Sequence, residues 1–517
     1  MAKFLSPQEA AALVKDGDTL ITEGFLLHAL AEQVIKALGE RFAQTGSPTG
    51  LTLVYAAGQG GGVGTGLDFL AHEKLLKRVV AGHWNLSPTL GKLATEGKIE
   101  AYNLPQGTIA QLYRDMAAGK PGTVTHVGLK TFVDPRLNGG KLNDITKEDL
   151  VELVTLGGKE LLFYKDCKPT VCFLRGSLAD EKGNITMEEE GISLGVLSIA
   201  QAVKRNGGKV IVQVRQVVKA GSLDPKLVKI PYICVDAVVA VPHDLHQADV
   251  PRDFVTVFSG DRRIPTGSIP PIELDDRKII ARRGAMDLTP DSVVNLGIGI
   301  PEAVSAVANE EGIGDYMTLT VEAGPVGGVP QGGKNFGVTI NADCILDQAY
   351  QFDFYDGGGL DIAYLGLAEC DEKGNINVSK MGPRITGCGG FINITQNAKK
   401  LYFCGTFTAK GLDIAVNNGK LVIKQEGSVK KFLKKVGHVT FSGEYASQIG
   451  QPVYYLTERA VFQLKKDGLH LVEVAPGIDI DKDILNHMEF RPIIDGQPKL
   501  MDARIFRDAP MGLGKGR

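Results

Sequence analysis

One carboxylate in this chain stands where side-chain chemistry is often found. In the stretch LTVEAGPVGGVPQGGK, residues 319–334, an apolar, β-branched run ends in Glu322 and breaks at once into Ala-Gly-Pro and a series of glycines. Strand ends that open into Gly-rich loops are frequent carriers of functional residues. No His, Cys or second carboxylate lies beside Glu322 in the sequence, so a local proton relay or metal pair is not indicated. A lone carboxylate can still be a nucleophile if it is desolvated and aligned with an activated acyl group. It can equally be a solvated surface charge, and the stretch alone leaves both readings open.

The other candidate groups are mostly backbone. Neither AAGQGGGVGTGLD (56–68) nor GIGIPE (297–302) fits the dinucleotide fingerprint, and Glu302 stands where its third glycine belongs. GVPQGGKN (328–335) matches G-x-x-x-x-G-K, but Asn335 replaces the hydroxyl residue that would hold magnesium. Such loops still offer unobstructed N–H groups that can receive an oxyanion or a phosphate, or they merely let the chain turn. GCGGFINI (387–394) is a further oxyanion candidate, with Gly389 and Gly390 expected to open an apolar strand. PQGT (105–108) reads as a plain turn, and DQAYQFDFYDGGGLDIAYLG (347–366) as a strand meeting a turn. Among nine histidines only His243 and His246 are close, and no third ligand completes a metal site. No metal is expected.

These groups must be positioned by a large scaffold. The chain has 517 residues, too many for one ordinary domain, with 43% hydrophobic and 23% charged residues. Its net charge of −3 and the absence of long Lys/Arg runs give no footprint for nucleic acid. Seven scattered cysteines without a C-x-x-C pair read as reduced thiols of a cytoplasmic protein. No apolar run approaches a membrane span, and the N-terminus reads as a helix capped by Ser6 rather than a signal peptide.

Self-similarity organises the rest. DGDTLITEGFLLHALAEQV and TPDSVVNLGIGIPEAVSAV follow one course, placing Asp18 opposite Asp291 and Gly24 opposite Gly297. LTLVYAAG (51–58) matches MTLTVEAG (317–324), and the hexapeptide Asp-Glu-Lys-Gly-Asn-Ile occurs at 180–185 and again at 371–376. The same register carries Lys209 of KVIVQV onto Lys400 of KLYFCG, each the start of an expected buried strand. The fold class is therefore α/β, with two related open halves and mainly parallel sheets. We expect an N-terminal half at 1–260, a Pro- and Gly-rich linker at 261–276 and a C-terminal half at 277–517. In this alignment Ala56 stands opposite Glu322. The same corner is built twice and only one copy carries the acid, which singles Glu322 out.

Together the blocks VEAGPVGGVPQGG, NADCILDQAYQFDFYDGGGLDIAYLGLAE, GCGGFINIT and EVAPGIDIDKDIL resemble the class I coenzyme A transferases over essentially the whole length. The likeness is greatest to propionate/acetate CoA-transferases, in which both subunit types are fused. Val321 and Ala323 flank the acid where the succinyl branch commonly has Ser-Glu-Asn-Gly. The resemblance implies that Glu322 is the nucleophile and that Gln106 belongs to the active site. It also implies that the site lies between the halves, with Gly389 and Gly390 as oxyanion or positioning candidates. Gly297, Gly299 and Gly324 are candidates for loops that hold CoA or the acyl group.

The implied reaction is ping-pong. CoA moves between short-chain acyl-CoA and short-chain carboxylates of the propionate, acetate, butyrate and lactate class, through a glutamyl-CoA thioester. Coenzyme A is substrate and covalent intermediate, with no permanently bound cofactor. The expected partners are these small molecules, with no nucleic acid or membrane, and the assembly is a homo-oligomer, a tetramer by resemblance. The competing readings are an acyl-CoA hydrolase on the same scaffold and a non-catalytic acyl-CoA-binding protein.

Overall fold

The structure, a computed structural model, describes residues 2–242, 255–265 and 271–514. His243, His246 and part of the expected linker lie outside the described residues.

The first helix begins as its sequence dictates. Ser6 caps Pro7–Ala11 by accepting from the Glu9 N–H, and Glu9 reaches back to the Ser6 N–H. This reciprocal capping box satisfies two N–H groups that a helix start leaves open. Short apolar runs then form strands of an eight-stranded sheet. Its order is Lys3–Phe4, Ala237–Ala240, Lys209–Val214, Val171–Arg175, Thr19–Thr22, Leu51–Tyr55, Leu76–Ala81, Glu100–Asn103. Every neighbouring pair is parallel. Such strands read as continuous apolar runs because helices cover both faces. Leu20, Leu53, Val79, Ala101, Phe173 and Ile211 are all inaccessible in this core. Each large aliphatic among them is worth about 1.5–3 kcal/mol when fully buried.

A second sheet repeats the plan. Its strands Met317–Thr320, Ser292–Leu296, Ile362–Gly366, Lys400–Cys404 and Val453–Leu456 are parallel in that order. They answer Leu51–Tyr55, Thr19–Thr22, Val171–Arg175, Lys209–Val214 and Ala237–Ala240 of the first sheet, strand for strand. The sheet continues through Ala460–Lys465 and Gly468–Val474, both paired antiparallel, to Lys499–Leu500. The shared hexapeptide forms the same kind of Asp–Asn turn in both copies. Asp180 Oδ1 accepts from the N–H groups of Lys182, Gly183 and Asn184, and Asp371 Oδ1 from those of Lys373 and Asn375. In each turn the Asn amide donates to the other Asp oxygen. The two related α/β halves with mainly parallel sheets are therefore real.

Compactness does not follow the halves, however. One unit comprises Met1–Ile264, Val321–Asp353 and Gly382–Asn393; the other comprises Pro265–Thr320, Phe354–Met381 and Ile394–Arg517. The boundary at Ile264 falls inside the expected linker, but two later segments belong with the first unit. Three local expectations also change. PQGT opens the helix Gln106–Ala117, residues 347–366 hold the helix Gln348–Asp356 before the strand Ile362–Gly366, and Phe391–Asn397 is helical rather than extended. Alternating aromatic and polar residues, and a β-branched run of only a few residues, do not separate helix from strand by periodicity.

Candidate active site

The site assembles inside the first unit, at the carboxyl ends of its parallel strands. That edge is where open α/β sheets bind their ligands. Glu100–Asn103 is followed by Leu104 and Pro105, and the helix Gln106–Ala117 starts there because Pro105 holds an extended backbone that cannot continue a helix backwards. The first amides of that helix need outside partners. Gln106 N–H donates to the Gly389 carbonyl at 3.0 Å, and Gly107 N–H to Asn393 Oδ1 at 3.2 Å. The helix start thus clamps the 387–393 segment.

Asn103 fastens the other side. Its amide donates to the carbonyls of Ala81 and Gly82 at 2.8 and 2.7 Å, while its Oδ1 accepts the Cys388 N–H at 2.9 Å. Gly389 has φ +50°, a conformation that favours glycine, and its N–H donates to the Gly82 carbonyl at 2.7 Å. That amide is spent within the protein, so Gly389 shapes the corner and does not offer the oxyanion donor expected of it. The Gly390 N–H makes no hydrogen bond among the described residues.

Glu322 meets this corner directly. It follows Val321 into a tight turn in which Val321 N–H donates to the Pro325 carbonyl and Gly324 N–H to the Val321 carbonyl, both at 2.9 Å. A Cβ on Gly390 would lie 3.5 Å from Glu322 Cγ and 3.2 Å from Phe352 Cζ, so the acid and the ring both pack close to the loop. A Cβ on the adjacent Gly389 would lie 3.6 Å from Gln106 Oε1 and 3.9 Å from His83 Cδ2. Glu322 and Gln106 therefore flank one two-residue corner.

The electrostatics suit a reluctant anion. Glu322 is half-buried, and desolvation raises its carboxyl to about 7, with its own backbone N–H pulling weakly the other way. Gln106 is buried, and its Nε2 has no hydrogen-bond partner. A buried amide left unpaired is costly unless something else takes the bond. Burial lowers His83 to about 4, so the imidazole is neutral, and its Nδ1 is also unpaired. Burial pushes the neighbouring Cys388 thiol far up, which removes it as a competing nucleophile.

The remaining sequence candidates divide. Gly324 lies in the Glu322 turn, where a Cβ would strike the Leu346 carbonyl at 2.1 Å, so close backbone packing explains it. Gly297 and Gly299 belong to the second unit, where Gly297 N–H donates to the Tyr364 carbonyl and the Gly299 carbonyl accepts from Arg277. Asn103, Phe352, Asn393 and His83 were missed. Asn103 had a signal, as a polar residue ending a strand directly before LPQGT. Among the described residues no cluster of three or more His, Cys, Asp or Glu could hold a metal.

Residues 4–241 match the coenzyme A transferase family. The acetate CoA-transferase YdiF of Escherichia coli (strain K12) is 46% identical over 509 residues, spanning 98% of this chain and 96% of its own. The chain belongs to the coenzyme A transferase family. The caffeate CoA-transferase of Acetobacterium woodii is likewise 46% identical, over 99% of both chains. A crystal structure of acyl-CoA transferase YdiF from E. coli O157:H7, a thioester complex with CoA, superposes with a TM-score of 0.93 at 44% identity, over 99% of this chain and 97% of that one. The protein is an acyl-CoA:carboxylate CoA-transferase, and CoA is its substrate. No helix among the described residues is long and apolar enough to cross a membrane.

Proposed function

We propose that Glu322 carries CoA as a covalent thioester while the enzyme exchanges one short-chain acid for another. The observation that carries this is the contact of a half-buried, desolvated Glu322 with the Gly390 corner, beside the unpaired Gln106 amide. A Glu322 carboxylate oxygen attacks the acyl-CoA carbonyl, the C–S bond breaks, and CoA leaves as thiolate from a mixed anhydride. The thiolate attacks the glutamyl carbonyl, the acid departs as carboxylate, and a glutamyl-CoA thioester remains. A second carboxylate attacks that thioester and expels the thiolate, which then takes the new acyl group and restores Glu322. Gly390 N–H and Gln106 Nε2, both without a partner among the described residues, are the donors for each tetrahedral oxyanion in this reading. Every intermediate keeps one activated carbonyl, as anhydride or thioester, so no nucleoside triphosphate is consumed.

The test is mass spectrometry of the enzyme after propionyl-CoA, then borohydride reduction. We expect a mass gain at Glu322 before reduction and, after it, the smaller mass of the alcohol that replaces the carboxyl, both lost together with turnover in Glu322→Ala. Normal transfer without any adduct overturns the covalent route, and CoA release that needs no carboxylate acceptor turns the reading to hydrolysis.

Residues 1–260 and 277–517 are the repeated halves, joined through 261–276, a reading that the matching strand orders support. The seven free thiols support a cytoplasmic setting. The homo-oligomer, a tetramer, rests on resemblance and is checked by light scattering on the purified chain.

A further inference from the structure

A second acid stands on the same edge of the first sheet and has no part in the steps above. Glu23 follows the strand Thr19–Thr22 and is 2% exposed. Its Oε1 accepts the Gly195 N–H at 3.3 Å, and its Oε2 has no partner. Tyr113, on the helix that begins at Gln106, is fully buried, and its hydroxyl has no partner; the Ala56 N–H approaches it without completing a hydrogen bond. Gln348 is fully buried too. Its backbone N–H donates to the Leu194 carbonyl at 3.1 Å, yet both ends of its side-chain amide are unpaired. Three elements so converge on Leu194–Gly195: a Cβ on Gly195 would lie 3.6 Å from Tyr113 Cδ2 and 3.8 Å from Glu23 Oε1.

Proteins rarely leave several buried polar atoms unsatisfied in one place, because each costs free energy until a partner arrives. The fold does not ask for this acid. In the alignment that pairs Asp18 with Asp291, Glu23 stands opposite Leu296, and the second sheet makes the same strand with leucine. The place also adjoins the nucleophile's corner. Parallel pairing of Ile21 with Val54 sets Glu23 level with Ala56 on the next strand. The Ala56 carbonyl abuts Gly82, and a Cβ there would lie 3.2 Å from Gln106 Cα. Tyr113 is two turns beyond Gln106 on one helix face, about 10 Å along the axis.

We propose that Glu23, Tyr113 and Gln348 form the recognition wall for an uncharged hydroxyl on the acyl group, and so bias which acids this transferase accepts. The proposal rests on the transferase reading above. Together the three side chains offer donors and acceptors, which suits a group that both gives and takes a hydrogen bond. Burial raises the Glu23 carboxyl to about 8, so it is a neutral donor near neutral pH. A second carboxylate on the substrate does not suit the place. The influences on Glu23 are burial and the Gly195 N–H, and those on Tyr113 are burial, Glu23, Cys167 and the Ala56 N–H, with no cation among them. A buried anion there would go uncompensated.

The experiment measures kcat/KM for acids paired by shape, with one acyl-CoA donor: 3-hydroxypropanoate against butanoate, and 2-hydroxypropanoate against 2-methylpropanoate. The wild-type enzyme should favour the hydroxy acid of at least one pair by about tenfold or more, since a site built for a hydroxyl penalises its absence. Glu23→Leu and Tyr113→Phe should each pull that ratio toward one, while Glu23→Gln, which keeps a donor and an acceptor, should largely retain it. If Glu23→Leu does not fold, Tyr113→Phe carries the same test. Wild-type ratios near one for both pairs, or variants that slow both members alike, overturn the recognition wall. Absence of transfer to every acid would instead overturn the transferase reading itself.

Discussion

The pH dependence of the first covalent step follows from where Glu322 sits. Its carboxyl is moved from an ordinary 4.5 to about 7 by burial. The difference, 7 − 4.5, amounts to about 3 kcal/mol in favour of the neutral acid. Only the carboxylate attacks a thioester, so the step should speed up as pH rises through 7. By simple titration about 1% of the enzyme is competent near pH 5, about 10% near pH 6 and half near pH 7. The assay is single-turnover appearance of the enzyme–CoA adduct after rapid mixing with acyl-CoA, at fixed ionic strength. The rate should climb roughly tenfold from about pH 5 to 6 and only about twofold from about pH 7 to 8. A profile already flat above about pH 5.5 would mean an ordinary carboxyl, and the desolvation argument would fail. Stability supplies a second check of the same sign. Because the folded state holds the proton more tightly, Glu322 favours folding below about 4.5, and that benefit is lost as pH rises through 7. Glu322→Gln should therefore melt higher than wild type above about pH 7, with the gap closing near pH 4.5.

Three further outcomes are expected. Gln106→Ala removes one of the two oxyanion donors and should lower kcat by about 10²–10³ while leaving the fold intact by circular dichroism. Gly107→Ala would set a Cβ 2.3 Å from Phe352 Cδ1 and 2.6 Å from Asn393 Nδ2, so it should cost about 1–3 kcal/mol, read as a lower melting temperature. Asn103→Ala strands the Cys388 N–H that it now accepts, and the loosened 387–390 corner should show as a loss in kcat larger than any change in KM for acyl-CoA.

How far the sequence carries can be judged residue by residue. Parallel strands such as Leu51–Tyr55 and Lys209–Val214 were legible because continuous apolar β-branched runs leave little choice. The repeat, down to its twin Asp–Asn turns, was legible because the hexapeptide is identical. Glu322 stood out through contrast with Ala56. The helix at Phe391–Asn397 was not legible, since Phe-Ile-Asn-Ile-Thr has strand propensities and tertiary contacts at Gly107 and Gln106 decide the outcome. Nor could the sequence show that the Gly389 amide is spent on the Gly82 carbonyl, because that bond joins residues far apart in the chain. Glu23 had a signal in its opposition to Leu296, but only burial with one carboxyl oxygen unpaired gives that signal meaning.

The scattered make-up of the first unit also bears on how the enzyme comes off the ribosome. Its main span ends at Ile264, yet Glu322, Phe352 and the Gly389–Gly390 corner are translated later, the last of them in the segment Gly382–Asn393. At typical synthesis rates of about 5–20 residues per second, that leaves an interval of roughly ten seconds. During it the start of the helix Gln106–Ala117 lacks both the Gly389 carbonyl and the Asn393 side chain that later cap its amides. The nascent chain thus holds a formed sheet with an unfinished rim, and it has no nucleophile to consume acyl-CoA until the pieces that shield the reaction are themselves being made.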